Sequence, residues 1–310
     1  MSDLPRLQAR LAVGFGVLAG VVWLLLIFGS TVRVHDAGLS CPDWPLCTGR
    51  IVPVFDFRIV LEWGHRLLAG TVSTVFCIGA AILLYVREFR GRFGPHVAAM
   101  FGVLACQIVL GGLTVLQLLA FWSVTLHLLF GNAFMALSIA LFRRLRGGLL
   151  APGPLPAGVA GAGLLLGGAV ALQLTLGGLV SSNHAGLACT EYPACNGGVW
   201  FPTFTGIVGL QVFHRLGASA LVVAAAGFAW VARADRKAAA GANGILGLVC
   251  LQIALGVTNV LTAMPAGLAI AHAATAHAIV GATAFTLTGI LARVRAPESA
   301  FVAGMSQVSA

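Results

Sequence analysis

Long apolar segments separated by short polar ones run the whole length of the chain. Eight of these segments are largely apolar over about 20 residues or more, which is the length that an α-helix needs to cross a lipid bilayer. They lie near residues 11–33, 58–86, 95–117, 121–142, 157–181, 206–232, 243–263 and 266–292. The pattern therefore predicts an all-α integral membrane protein with eight transmembrane helices.

The composition supports a membrane protein. Apolar residues make up 59% of the 310 residues, and charged residues make up only 9%. Soluble globular domains carry about 25% charged residues, so a water-soluble domain is excluded. The first apolar segment is longer than the apolar core of a signal peptide and has no small-residue cleavage site after it, so we expect it to be retained as a helix.

Basic residues are concentrated in alternate connections between the predicted helices. One side holds 13 of the 18 Lys and Arg residues: Arg6, Arg10, Arg87, Arg90, Arg92, Arg143, Arg144, Arg146, Arg233, Arg236, Lys237, Arg293 and Arg295. Because cytoplasmic loops retain positive charge, we predict a plasma (inner) membrane protein with both termini in the cytoplasm. This topology and contact with anionic membrane lipid explain the net charge of +9, and no nucleic-acid partner is expected.

One short motif occurs twice along the chain. The sequence AGLSCPDWPLC at residues 37–47 returns 148 residues later as AGLACTEYPAC at residues 185–195. Each copy is followed 18 or 19 residues on by a His-Arg pair, within EWGHR at residues 62–66 and QVFHR at residues 211–215. The motif indicates an internal duplication in which one copy has a glutamate where the other has a glutamine.

The duplication predicts two halves of four helices each. With both termini on one side of the membrane, the two halves share one orientation and form two parallel-repeat four-helix bundles. We assign residues 1–150 to the N-terminal half and residues 151–310 to the C-terminal half. Proline and glycine in the linker at residues 151–158 fit this boundary, because they stop the fourth helix.

The seven cysteines fall into two groups. Cys41 with Cys47 and Cys189 with Cys195 share a C-x5-C spacing in loops predicted to be external, where disulfides are stable. Two local disulfides are therefore predicted, with zinc as the alternative, although the loops lack the C-x2-C spacing usual for zinc. The cysteines predicted to be thiols inside the helices are Cys77, Cys106 and Cys250.

Ionisable residues inside the predicted helices are few, and such residues are costly in hydrocarbon. Glu62 is the one acidic residue within a predicted span. The histidines within the spans are His65, His127, His214, His272 and His277. The first four lie at similar depth in the outer half of the membrane, and each half supplies one from its second helix and one from its fourth.

Two histidines on different helices of a bundle are a common way to bind heme, because each neutral imidazole offers one nitrogen to iron. The predicted pairs of iron ligands are His65 with His127 and His214 with His272. Arg66 and Arg215 suit the heme propionates, since a guanidinium group binds carboxylate through two charge-assisted hydrogen bonds. The alternative is that each histidine only forms a hydrogen bond between helices.

His277 is an alternative ligand to His272, because the two are five residues apart and point to different faces of one helix. We favour His272, since the run from Gly256 to His272 parallels the run from Gly112 to His127 within one residue. His277 is then expected to be structural.

These features together resemble the heme A synthase family, which makes heme A from heme O for cytochrome oxidase. The resemblance is carried by LSCPDWPLC, EWGHR, its QVFHR echo and the paired histidines, and it covers nearly the whole chain. It implies an oxygen-dependent oxidation of a porphyrin methyl group to a formyl group, through successive hydroxylations and loss of water.

The resemblance also implies a role for each half. His214 and His272 would ligate a heme b cofactor, while His65 and His127 would serve the substrate, heme O. The enzyme that farnesylates heme, heme O synthase, is the expected supplier of substrate. The identity of the electron donor is left open.

Glu62 gives the substrate half a carboxyl group that the other half lacks. It lies three residues before His65 and shares a helix face with it. A carboxyl group beside the porphyrin edge is able to stabilise positive charge or move protons, which Gln211 cannot do by titration. The alternative is that Glu62 only forms an ion pair with Arg66.

Two other classes of protein share some of these features. A bis-histidine membrane electron-transfer cytochrome explains the histidines but not the difference between Glu62 and Gln211. A quinone-linked membrane thiol oxidoreductase explains the external cysteine pairs but not the matched histidines. In the heme-binding interpretation the disulfide loops are expected to cap the heme sites. Trp44 and Tyr192, which match between the loops, would then cover a porphyrin edge or anchor the loops at the membrane interface.

Overall fold

A computed structural model describes residues 3–54, 56–147 and 155–294 of the chain. Its eight long helices are α1 (Leu4–Val34), α2 (Phe57–Tyr85), α3 (Arg87–Leu116), α4 (Phe121–Leu145), α5 (Val159–Ser182), α6 (Gly206–Ala232), α7 (Arg236–Leu261) and α8 (Ala266–Val294). A 3₁₀-helix at Ala185–Leu187 follows α5. All eight long helices are long and apolar enough to span a membrane, which confirms the predicted all-α, multi-pass fold.

Three helices begin well before the apolar segments that predicted them, and the first of these is α1, which begins at Leu4 rather than near residue 11. Helix α3 begins at Arg87 rather than near residue 95 and includes Pro95, while α7 begins at Arg236 rather than near residue 243. Their first turns are basic and extend beyond the apolar segment, so hydrophobicity alone did not identify them. The side chain of Asp235 accepts a 2.9 Å hydrogen bond from the Ala238 N–H and caps the start of α7.

Neighbouring helices contact one another in two similar sets. In the first half α1 contacts α2 and α4, and α3 contacts the same two helices. In the second half α5 contacts α6 and α8, and α7 contacts the same two helices. The halves meet through contacts of α4 with α5 and α8, and of α1 with α8. The division at residue 150 stays a prediction, because that residue and linker residues 151–154 lie outside the described residues. Arg295, one of the basic residues used to predict the topology, also lies outside them.

Each half has its own buried apolar cluster. The first centres on Phe76, Phe93 and Met100, and the second includes Phe228 and Ile245. Because lipid is as apolar as these side chains, their close packing, rather than exclusion of water, holds the helices together.

Polar contacts also join the two halves. The Trp23 indole N–H on α1 donates a 3.2 Å hydrogen bond to the Ala274 carbonyl on α8. Arg143 on α4 donates a 2.7 Å hydrogen bond to the Phe285 carbonyl, and its guanidinium lies 3.9 Å from the centre of that phenyl ring. These contacts fix α8 against the first half.

Candidate functional site

The loop between α1 and α2 is closed by the disulfide Cys41–Cys47, and the loop between α5 and α6 is closed by Cys189–Cys195. We call these the first and second disulfide loops. Asp43 accepts hydrogen bonds of 2.6 Å from the Thr48 N–H and 2.7 Å from the Gly49 N–H. The bond from Gly49 is the main reason why the pKa of the Asp43 carboxyl lies below its usual value. These contacts make a compact loop on the end of α1 and α2.

The second loop repeats this construction. Glu191 stands 148 residues after Asp43, and its carboxylate accepts hydrogen bonds of 3.1 and 3.0 Å from the Gly197 and Gly198 N–H groups. The duplication seen in the sequence therefore extends to the hydrogen bonds that shape both loops.

The disulfides predict a simple pattern of cysteine alkylation. Protein unfolded in detergent without reductant is expected to take up a thiol reagent at Cys77, Cys106 and Cys250, which are the free cysteines. Intact mass should show three added groups before reduction and seven after it, since the chain has seven cysteines. Five or more groups before reduction would show that a loop disulfide is absent.

Arg66 attaches the first disulfide loop to α2. Its guanidinium donates to the carbonyl oxygens of Asp43 (2.7 Å), Leu46 (2.6 Å) and Cys41 (2.9 Å). The remaining contact is a 2.5 Å ion pair with Glu62. Four hydrogen bonds to partners within the protein compensate a charge that would otherwise be costly at this depth.

Arg215 has the matching role in the second half. It donates to the carbonyl oxygens of Ala194 (2.9 Å) and Cys189 (3.1 Å). The structure thus places both arginines on loop carbonyls, a role that the sequence analysis did not foresee. Their contact with heme propionates stays a prediction.

Glu62 is buried, with 5% of its surface exposed. One carboxylate oxygen pairs with Arg66, and the other accepts a 2.7 Å hydrogen bond from the Cys41 N–H. Gln211 occupies the matching position in α6 and donates a 3.1 Å hydrogen bond to the Gly186 carbonyl, while its own side-chain oxygen is buried without a partner. The same position therefore holds a charged pair in one half and a neutral amide in the other.

Each of the four matched histidines packs against a glycine of the preceding helix. A methyl group added to any of these glycines would lie 3.0–3.3 Å from the ring, so a larger residue would force the imidazole to move. The pairs are His65 with Gly29, His127 with Gly111, His214 with Gly177 and His272 with Gly256. Sequence reasoning missed them, although Gly29 and Gly177 are 148 residues apart, as the two loop motifs are, and Gly111 and Gly256 are 145 residues apart, as His127 and His272 are.

Glutamines on the preceding helix hold three of these four histidines. The amide nitrogens lie 3.4 Å from His127, 3.1 Å from His214 and 3.1 Å from His272, each measured to a ring nitrogen. The glutamines are Gln107 on α3, Gln173 on α5 and Gln252 on α7. On α1 the position 148 residues before Gln173 is Leu25, so the matching side chain is apolar.

The histidines interact electrostatically in pairs across each half. His65 interacts with His127, and His214 interacts with His272. The Nδ1 atoms of His127 and His272 are buried and have no hydrogen-bond partner among the described residues. Each half therefore has two imidazole rings, and one ring of each pair has a buried nitrogen without a hydrogen-bond partner among the described residues. Two imidazoles of this kind are suitable ligands for heme iron.

His277 lies apart from these pairs, at the junction of the two halves. It is 1% exposed, and its Nδ1 lies 3.0 Å from the Asn132 side-chain oxygen on α4. This contact with the other half agrees with a structural role for His277. The choice of His272 as ligand stays a prediction.

The two loop aromatics are half-exposed and contact their own half. The Trp44 indole packs against Gly112 of α3, where an added methyl group would lie 3.2 Å from the ring. The Arg215 guanidinium lies 5.8 Å from the centre of the Tyr192 ring. Both contacts attach a loop aromatic ring to a helix of the same half. A role of these rings in covering a porphyrin stays a prediction.

Comparison with known proteins shows similarity along almost the whole chain. A family model named COX15-CtaA, described as cytochrome oxidase assembly protein, matches residues 13–57 and 51–284. A heme A synthase of Caulobacter sp. (strain K31) is 32% identical over 91% of this chain and 95% of its own length. Heme A synthases of Bradyrhizobium sp. (strain BTAi1 / ATCC BAA-1182) and Shewanella oneidensis are 25% and 29% identical, over 99% and 80% of this chain and 100% and 87% of their own.

Proposed function

This chain belongs to the COX15-CtaA family of cytochrome oxidase assembly proteins, and from that premise we propose that it is a heme A synthase that oxidises heme O to heme A. It is an oxidoreductase of heme A biosynthesis. The observation that carries the proposed chemistry is the buried Glu62–Arg66 pair, which is present in only one of two otherwise matched sites.

The reaction we propose converts one porphyrin methyl group into a formyl group. Two successive hydroxylations with oxygen give a carbon that carries two hydroxyl groups, and loss of water leaves the aldehyde. Each hydroxylation consumes two electrons and two protons in addition to oxygen. The protein must therefore hold the substrate close to a group that moves protons.

We assign the C-terminal half to a heme b cofactor, held by His214 and His272, and the N-terminal half to heme O, served by His65 and His127. Bound heme supplies an iron centre that exchanges electrons and activates oxygen. The side chains of Gln173 and Gln252 contact the rings of His214 and His272 and limit their rotation, which suits a resident cofactor. The position on α1 that matches Gln173 is Leu25, which offers no hydrogen bond to a histidine, and this suits a substrate that must enter and leave.

Glu62 is the residue that we place in the chemistry. Arg66 and the Cys41 N–H hold its two carboxylate oxygens in fixed positions at the outer end of the substrate half. A buried carboxylate held in this way stabilises positive charge that develops on a nearby substrate and accepts a proton as a hydroxyl group forms or water leaves. Arg66 is a positioning residue, because it acts through Glu62 and through the loop.

The placement in the cell that we propose follows the basic residues. The chain lies in the plasma (inner) membrane with both termini in the cytoplasm and the disulfide loops outside. Heme O synthase supplies the substrate within the membrane, and oxygen is the co-substrate.

Reporter fusions test this topology. A phosphatase that is active only after export should be active when fused after Gly49 or Gly197, in the two disulfide loops, and inactive when fused after Arg146 or Asp235. The reverse pattern of activity would overturn the orientation without affecting the assignment of the helices.

The biosynthetic role is tested by rescue of a bacterium that lacks its own heme A synthase and still makes heme O. Expression of this chain should restore the heme A absorption band of its cytochrome oxidase. Failure of rescue by a chain that is present in the membrane and loaded with heme would contradict the proposal.

A further inference from the structure

A groove lies between the two halves, away from the paired histidines. Its volume is about 990 Å³, and α1, α4, α7 and α8 form its walls. None of the four matched histidines is among its described lining residues. A volume near 1,000 Å³ lies at the upper end of the range for small-molecule sites.

The lining of this groove is mostly apolar, with Arg146 as its one charged residue among the described lining residues, and it has space for a ligand. Gly20 of α1 and Gly244 of α7 both line it, and an added methyl group at either glycine would meet no atom within 4 Å. Aromatic rings are supplied by Trp23, Phe142 and Phe285. The Trp23 N–H already donates to the Ala274 carbonyl, so it does not provide a free polar group.

His277 lines this groove and carries an unpartnered polar atom. The Asn132 amide nitrogen donates to the Leu128 carbonyl at 2.9 Å, which leaves the amide oxygen to accept from Nδ1 of His277 at 3.0 Å. Because Nδ1 then carries the proton of the neutral ring, Nε2 is an acceptor. Nε2 is buried and has no hydrogen-bond partner among the described residues. A buried acceptor of this kind favours a ligand that carries a hydroxyl group.

We propose that this groove binds a membrane hydroquinone, with its ring and tail among the apolar side chains and one hydroxyl group donating to Nε2 of His277. The choice of a hydroquinone among hydroxylated lipids rests on the proposed function, which needs a source of two electrons and two protons for each hydroxylation. The balanced step is R–CH₃ + O₂ + QH₂ → R–CH₂OH + H₂O + Q. The hydroquinone ring gives up two electrons and both hydroxyl protons, one of them to Nε2 of His277. One oxygen atom enters the new hydroxyl group, and the other takes up both protons and becomes water.

Binding of duroquinol to the purified full chain in lipid nanodiscs, measured by equilibrium dialysis, tests the site. The dimethyl ether of duroquinol, which lacks both hydroxyl protons, is the matched ligand. We expect it to bind the unchanged chain at least 10-fold more weakly than duroquinol. His277→Leu should weaken duroquinol binding at least 10-fold and leave the ether unaffected, with heme content unchanged.

Two glycine variants on α7 provide the control for position. Gly244→Leu should fill the groove and abolish binding of both compounds. Gly247→Leu should leave both affinities within 2-fold, because Gly247 is also open to added atoms but is not among the described lining residues. Since both substitutions add the same side chain to one helix, a general effect on folding would appear in both.

Two results would overturn the hydroquinone site. One is equal binding of duroquinol and its ether by the unchanged chain. That result would indicate that the groove binds lipid chains or another copy of the chain. The other is no binding at all. Heme A formed by a chain that does not bind duroquinol would overturn this site alone, whereas binding without heme A formation would leave the site and overturn the proposed function.

Discussion

Glu62→Gln is expected to abolish heme A formation while leaving the heme content of the protein largely unchanged. The substitution keeps the size and one acceptor of the side chain but removes the charge and the group that takes up a proton. General acid–base groups typically contribute about 100- to 10,000-fold to a rate, so we expect at least roughly a 100-fold loss. The measurement is heme A formed per bound heme, resolved by chromatography and mass.

The control for this variant must separate chemistry from loop structure, because Glu62 also holds the Cys41 N–H. Asp43→Asn weakens the same loop by removing charge from the carboxylate that binds Thr48 and Gly49. It should reduce heme A formation far less than Glu62→Gln does. Full activity of Glu62→Gln would remove Glu62 from the mechanism and leave it as the ion-pair partner of Arg66.

The second large effect concerns the division of labour between the halves. His214→Ala and His272→Ala should each lose most of the bound heme b, to below about a tenth of the unchanged chain, because a bis-histidine site loses one of its two iron ligands. His65→Ala and His127→Ala should keep heme b and lose heme A formation. Heme content is measured on protein made in a host that supplies heme b but no heme O.

His96→Ala is a matched control for these substitutions. His96 is a half-buried histidine of α3 whose Nε2 lies 2.9 Å from the Leu137 carbonyl, and it is not one of the paired histidines. It should keep both heme b and activity. Loss of heme b from the His65 and His127 variants instead, or equal loss from all four, would contradict the assignment of the cofactor to the C-terminal half.

Much of the fold could be predicted from the sequence because the membrane makes helices easy to recognise. Each spanning helix must satisfy its own backbone hydrogen bonds, so a long apolar segment has few alternatives to a helix. The starts of α1, α3 and α7 were missed for the same reason, since their first turns, which carry Arg6, Arg87 and Arg236, lie beyond the apolar segments.

The candidate site could be predicted less completely, because one sequence does not show which helix faces meet. The spacing of Glu62, His65 and Arg66 placed them together on α2. The structure adds that Arg66 donates hydrogen bonds to carbonyl oxygens of the first disulfide loop. The glycine beside each histidine depends on the contact between two helices. The contacts of the glutamines with the histidines also depend on how two helices meet. Comparison of the two halves at a spacing of 148 residues would still have shown that Gln173 in the second half corresponds to Leu25 in the first.

The central claim is tested most directly by co-expressing this chain with heme O synthase in a bacterium that has no heme A. Hemes are extracted from the membranes and resolved by chromatography and mass. The account predicts a heme that carries a formyl group, and predicts its absence when Glu62→Gln replaces the unchanged chain. Recovery of hemes B and O alone, from a folded and heme-loaded protein, would contradict it and indicate an electron-transfer cytochrome.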